Sequence, residues 1–224
     1  MPDAGVKEAV RFYAKQLKLP TFANVEEAAG KFRAGDSLES FVLALMKREY
    51  DARQEKTRQR RLKRAQFPLQ KTLEEFDLSR LQHIQPEFIK QLAGCTYIDR
   101  HENLVLMGNP GTGKTHLMTA LGIKACLLGY KVQFANAAML ASELKEARDS
   151  YQLRRLEKGI AANDLLLIDE LSYARFNQEE SELLFKVISE RSERASTIIT
   201  TNLVFPNGRK CSQAIRLWRH WSIG

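Results

Sequence analysis

Apolar residues recur at near-helical spacing through Val6, Val10, Tyr13, Leu17 and Leu19, predicting an amphipathic helix that Pro20 ends. A second helical pattern follows Gly35-Asp36-Ser37, where Asp36 or Ser37 can cap, and runs through Leu38, Phe41, Val42, Leu45, Met46, Glu49 and Tyr50. From Lys47 the pattern turns polar, and Pro68 limits it. Residues 67–101 read as a connector with short helical pieces such as Pro86–Leu92. From Asn103 the chain changes character. Apolar strands at 103–107, 131–136, 165–169 and 196–201 alternate with helices at Lys114–Leu128, around Ala138–Ala147, and from about Asn177 to Arg194. Gly129 closes the first of these helices, and Asn177 with Glu180 forms a capping-box pair at the start of the last. Strands apolar on both faces, alternating with helices, predict an α/β fold with a parallel sheet covered on each side.

Composition narrows the class. Hydrophobic residues make up 44% and charged residues 28%, which supports a buried core and argues against wholesale disorder. No apolar run reaches the length of a membrane span, and the first twenty residues lack a secretory signal. Cys95, Cys126 and Cys211 form no CxxC pair, and the four histidines have no metal-ligand spacing, so neither a disulfide framework nor a zinc site is expected. The expectation is a soluble, cytoplasmic protein.

Charge is distributed unevenly. Residues 1–66 hold 15 basic and 9 acidic side chains, a net of +6, and residues 207–224 add +4 with no acid, while the middle is close to neutral at −2. Basic ends suggest a polyanionic partner. The densest run holds Arg48, Arg53, Lys56, Arg58, Arg60, Arg61, Lys63 and Arg64 against only Glu49, Asp51 and Glu55. On a helix these charges cover more than one face, which fits contact with the phosphate backbone of double-stranded DNA without base reading, although a solvated linker helix would look similar. No aromatic residue lies between Asp51 and Gln66, so stacking on single-stranded bases is not supported. Arg148, Arg154, Arg155 and Lys158 form a smaller basic stretch that faces either DNA or solvent.

The chemistry lies in the middle. Gly108-Asn109-Pro110-Gly111-Thr112-Gly113-Lys114-Thr115 fits GxxxxGK[ST] at every fixed position, with a strand before it and a helix after. Such a loop aims backbone N–H groups at phosphate oxygens, its lysine reaches the β- and γ-phosphates, and its threonine ligates Mg²⁺. Asp169 and Glu170 end the apolar strand Leu165-Leu166-Leu167-Ile168, at the C-terminal mouth of a parallel sheet where ligands bind. Asp169 is expected to hold Mg²⁺ with Thr115, and Glu170 to activate a water, which favours hydrolysis over transfer to a small-molecule acceptor. Asn202, directly after STIITT, is a third candidate, facing the γ-phosphate or that water.

The order LKLPTF, KREYDAR…RRLKRAQFP, KTLEEFD, NLVLMGNPGTGKTHL, LLLIDELSY and STIITTN resembles the IstB family, AAA+ ATP-binding helpers of bacterial insertion sequences related to DnaC-type helicase loaders. The resemblance runs from about Leu17 to Phe205. It implies an ATP- and Mg²⁺-dependent oligomer on double-stranded DNA that assists a partner transposase in target selection. It makes Gly108–Thr115 the Walker A loop, Asp169 and Glu170 Walker B, and Asn202 sensor 1, with KTLEEFD (71–77) near the adenine. The alternatives are a DnaC-type replicative helicase loader and a non-hydrolysing ATP- and DNA-binding relic. The expected organisation is a basic helical DNA-binding and assembly domain (1–66), a connector (67–101), an AAA+ P-loop core (102–206) and a divergent basic tail (207–224). The family continues past sensor 1 with a fifth strand and an arginine finger. Here PNGRKCSQAIRLWRHWSIG follows instead, and it reads as a truncated or frame-shifted end that leaves the module incomplete and a sheet edge exposed. A short basic helix, Ser212–Trp221, is the other reading of the tail. Arg191 and Arg194 are the candidates to substitute in trans for the arginine finger, and ATPase turnover is left open.

Overall fold

The computed structural model describes residues 4–25, 30, 37–69, 71–77, 85–171 and 176–202, and the backbone of 213–218. The chain divides into two compact units, Met1–Arg60 and Arg61–Gly224.

The first unit is helical. Helix α1 (Ala4–Gln16) gives way at Lys18, whose φ of 55° is left-handed, and Pro20 then opens a short 3₁₀ turn, Pro20–Asn24. Helix α2 (Leu38–Ala65) starts where the Ser37 hydroxyl accepts the Ser40 N–H at 3.3 Å, and its first 23 residues belong to this unit. Asp36, the other candidate cap, lies outside the described residues. One buried carboxylate ties the 3₁₀ turn to α2. Glu49, 5% exposed, accepts the Thr21 N–H at 3.1 Å, the Thr21 hydroxyl at 2.5 Å and the Arg53 Nε–H at 2.7 Å. Arg53 also donates to the Lys18 carbonyl at 2.6 Å.

The second unit is a three-layer α/β fold. Its elements are α3 (Pro86–Ala93), α4 (Thr96–Asp99), β1 (Asn103–Gly108), α5 (Lys114–Leu128), β2 (Val132–Asn136), α6 (Ala137–Asp149), α7 (Leu153–Ala161), β3 (Leu165–Asp169), α8 (Gln178–Arg191), β4 (Ser196–Thr201) and β5 (Gln213–Trp218). The sheet order is β2-β3-β4-β1-β5. Strands β1 to β4 are parallel, so both central chemical signals, the end of β1 and the end of β3, emerge on one side with β4 between them. One face of the sheet packs Leu117, Met118, Leu121 and Cys126 of α5 with Ile89 and Leu92 of α3 and the last turn of α2. The opposite face packs Leu140 and Leu144 of α6, Ile160 of α7, and Leu183, Leu184, Val187 and Ile188 of α8. Gly122 sits mid-helix in α5, where a Cβ would lie 2.6 Å from Leu167 and 2.8 Å from the Phe67 ring. Only a glycine lets α5 approach the sheet that closely.

One expectation is corrected. Residues 213–218 of the tail are neither helical nor unpaired: they are a strand, antiparallel to β1, with Gln213 opposite Gly108 and Trp218 opposite Asn103. The sheet edge that was expected to be exposed is therefore paired, along β1; an exposed row of backbone donors and acceptors is a strong template for any extended segment. Residues 153–161, where no helix was expected, form α7, with the basic Arg154, Arg155 and Lys158 exposed and Leu153, Leu156 and Ile160 turned to the core.

Candidate nucleotide site

The glycine-rich loop is shaped by backbone that side chains rarely adopt. Gly111 and Gly113 take φ of 78° and 87°. At Gly113 a Cβ would lie 3.1 Å from the Phe76 ring. Phe76 in turn meets His116 edge-on at 5.0 Å, and the His116 Nε2 lies 3.1 Å from the Thr72 carbonyl oxygen. Segment 71–77 therefore braces the loop from behind and delivers Lys71 to the same cavity.

That cavity, about 590 Å³, is lined by the loop and by Lys114, Thr115, Glu170, Thr200 and Asn202. Lys114 folds back, donating to the carbonyls of Gly108 and Asn109 at 2.8 Å each. Burial lowers its pKa, and the nearby Asp169 and Glu170 oppose that shift. Thr112 braces the loop by donating to the Asn109 carbonyl at 2.9 Å. The Thr115 hydroxyl, at the start of α5, donates to Asp169 Oδ1 at 3.0 Å. The structure thus brings together three separate parts of the sequence: the loop with its Lys114 and Thr115, the Asp169-Glu170 pair, and Asn202. A larger cavity of about 640 Å³ beside β2 mixes Arg64 and Arg155 with Glu143 and Glu146, and has no such cradle. Chemistry, not volume, selects the site.

Two residues of this neighbourhood were not singled out in the sequence. Thr200, in β4, donates to Asp169 Oδ1 at 2.5 Å and accepts the Glu170 N–H at 2.8 Å. Asn136 caps α6 through its side-chain oxygen, which accepts from Ala138 and Met139, and its amide nitrogen donates to Glu170 Oε2 at 3.3 Å. Each lies at the C-terminal end of a strand next to β3, a placement readable from the parallel register once the strands are found.

Arg191 is not available to a neighbouring molecule. It is 4% exposed and donates to the carbonyls of Ile160 (2.8 Å), Asn163 (3.0 Å) and Ser196 (3.1 Å), which knits α7, α8 and β4 together. Burial pushes its pKa down to about 10, and Asp164 partly opposes the shift. Arg194, by contrast, is exposed.

The basic helix divides by use. Arg53 is engaged with Glu49 and Lys18, Arg58 lies 3.9 Å from Glu55, and Arg61 is half-buried. Lys56, Arg60, Lys63 and Arg64 are exposed, and the spacing of Lys56, Arg60 and Lys63 puts them on one helix face. Arg148 pairs with Glu179 of α8. Among the described residues no helix is long and apolar enough to cross a membrane, and no cluster of three or more His, Cys, Asp or Glu could hold a metal.

The topology and the ordered placement of loop, acidic pair and polar strand end define a P-loop NTPase domain of the AAA+ class. The chain belongs to the family of IstB-like ATP binding proteins, whose profile matches residues 13–214. It is 36% identical over 165 residues to a Pseudomonas aeruginosa protein named as an ATP-binding protein of insertion sequence IS21, covering 74% of this chain and 62% of that one. It is 30% identical over 202 residues to a counterpart from insertion sequence IS5376 of Geobacillus stearothermophilus, covering 89% and 80%. The chain thus spans less than two thirds of the Pseudomonas protein. The crystal structure of the DnaC helicase loader aligns with a TM-score of 0.49 and 27% identity over 55% of this chain and 70% of that one.

Proposed function

We propose that this chain binds ATP with Mg²⁺ at the 108–115 loop, hydrolyses it, and uses the cycle on double-stranded DNA to assist a transposase in choosing insertion sites. The observation that carries the nucleotide reading is the Thr115–Asp169 contact of 3.0 Å beside the glycine-rich cradle. A hydroxyl and a carboxylate oxygen at that spacing suit a small hard cation next to phosphate. Bound Mg²⁺ would neutralise charge on the β- and γ-phosphate oxygens. The remaining roles belong to the chain's own groups. The backbone N–H groups of 108–115 hold phosphate oxygens, and Lys114 exchanges its two carbonyl partners for the β- and γ-phosphates. Glu170 orients and deprotonates a water, and Asn202 holds that water or the γ-phosphate.

The DNA reading rests on the exposed Lys56, Arg60, Lys63 and Arg64, with Arg53 and Arg58 contributing less because they have partners inside the chain and Arg61 less because it is half-buried. The family membership supports a transposition setting, self-assembly on DNA and a cytoplasmic location. Steady-state ATP hydrolysis, with and without long double-stranded DNA and with Glu170→Gln as the blank, tests the reading. Turnover above the blank that rises with DNA is expected. Nucleotide binding with no turnover under either condition would contradict the hydrolytic part.

A further inference from the structure

The geometry points to Thr200 as the residue that positions both acids of the site: its one hydroxyl fixes Asp169 through a donated hydrogen bond and Glu170 through an accepted one. This rests on the nucleotide reading above and deepens it. Strands β3 and β4 run parallel with Ile168 opposite Ile199, so Thr200 is the next residue level with Asp169 at the strand ends. The Thr200 side chain is 1% exposed and belongs to the central strand of the sheet, which leaves its hydroxyl little freedom to turn elsewhere. It donates to Asp169 Oδ1 at 2.5 Å and accepts the Glu170 N–H at 2.8 Å, and the Thr200 carbonyl accepts the Leu171 N–H at 3.0 Å. Three consecutive residues, Asp169 at the end of β3 and Glu170 and Leu171 just after it, are thus tied to one residue of β4.

The tie matters because the backbone it holds is strained. Glu170 adopts φ of 61°, a left-handed conformation that non-glycine residues avoid. A strained turn persists only where its surroundings over-determine it, and the hydroxyl-to-amide bond from Thr200 supplies one of those determinants. The same hydroxyl leaves Asp169 Oδ1 with two donors, Thr200 from β4 and Thr115 from α5. Thr115 is the group that would turn toward a cation. Thr200 has no such second use, and it keeps the carboxylate in place while Thr115 changes partner. Partners that orient ligating carboxylates in this way govern metal affinity strongly.

The test uses the whole chain with Thr200→Val, which keeps the shape and removes the hydroxyl, and Thr200→Ser, which keeps the hydroxyl. Two quantities are read: the Mg²⁺ dependence of binding of a fluorescent, non-hydrolysable ATP analogue, and kcat and KM for ATP. Thr200→Val is expected to need about tenfold more Mg²⁺ for half-maximal tightening and to lose about tenfold in kcat, with metal-free nucleotide affinity unchanged. Thr200→Ser is expected to stay within about threefold of the parent chain, because the hydroxyl contact with the carboxylate is retained. If Thr200→Val does not fold, Thr200→Ser against Thr200→Ala makes the same comparison at constant loss of the methyl group. Parent-like Mg²⁺ dependence and kcat in Thr200→Val, or equal losses in the serine and alanine variants, would overturn the assignment alone. A parent chain whose nucleotide binding ignores Mg²⁺ would bring down the nucleotide reading and this assignment together.

Discussion

The two units differ in where their demanding groups find partners. Among the described residues of Met1–Arg60 the buried side chains are few, chiefly Ala14, Leu45 and Glu49, while Val6, Phe12, Tyr13, Leu17, Leu38 and Met46 are exposed. In Arg61–Gly224 the apolar side chains of four parallel strands are almost wholly buried, and even an arginine is buried with its guanidinium bonded to three carbonyls. The second unit satisfies most of its needs internally and reserves a polar cavity for a ligand. The first displays apolar and cationic surface. A fold that closes on itself suits chemistry, and one that leaves such surface uncovered suits association.

The sharpest way to break this contrast is Arg191→Met. Removing a buried hydrogen-bonded cation costs about 3–5 kcal/mol, so the melting temperature of the second unit should fall by on the order of 10 °C. A change of only a degree or two in a thermal melt would mean that the arginine is not a structural tie. Gly122→Ala comes next. Its Cβ must displace both Leu167 and Phe67, and overpacking of that kind costs about 1–3 kcal/mol, measurable as a lower denaturant midpoint at unchanged slope.

The buried thiols give a pH signature of smaller size. Burial raises Cys126 to about 12 and Cys95 to about 11, against a value of 9.0 when solvated. Because these pKa values are higher folded than unfolded, the thiols' contribution is complete below about pH 9 and is lost as pH rises through 11 and 12. Each should remove about 1 kcal/mol of stability by pH 10, and Cys95→Ala with Cys126→Ala should flatten that part of the alkaline stability profile. In a Cys211→Ser background, neither thiol should react with a disulfide reagent at pH 8 until the chain is unfolded.

The smallest effect on stability is expected in the first unit. Lys56→Glu with Arg60→Glu should change stability by less than about 0.5 kcal/mol, since both side chains are exposed. It should nevertheless weaken double-stranded DNA binding and lower the salt-dependence slope by about 2. Unchanged DNA affinity would leave this helix face as solvated surface only.

Local signals made much of this readable in the sequence. The Asn177–Glu180 capping box forms as expected, Gly129 closes α5, and the four apolar parallel strands and the loop between β1 and α5 lie where the pattern put them. What escaped depends on long-range packing or competing signals. Leu153, Leu156 and Ile160 are spaced for a helix, but Arg154, Arg155 and Lys158 dominate the stretch, so it read as charge. An arginine in the last turn of a helix, such as Arg191, ordinarily faces solvent beside the terminal carbonyls; its burial depends on carbonyls from α7, β4 and the turn at Asn163. Thr200 and Asn136 look like ordinary strand-end residues until the register sets them beside Asp169 and Glu170.

The most direct test of the account is calorimetric titration of a non-hydrolysable ATP analogue, with and without Mg²⁺, into the parent chain and Thr115→Ala. The account predicts binding by the parent that tightens at least about tenfold with Mg²⁺, and loss of that tightening in Thr115→Ala with metal-free binding retained. Binding indifferent to both Mg²⁺ and Thr115, or no binding at all, would contradict it.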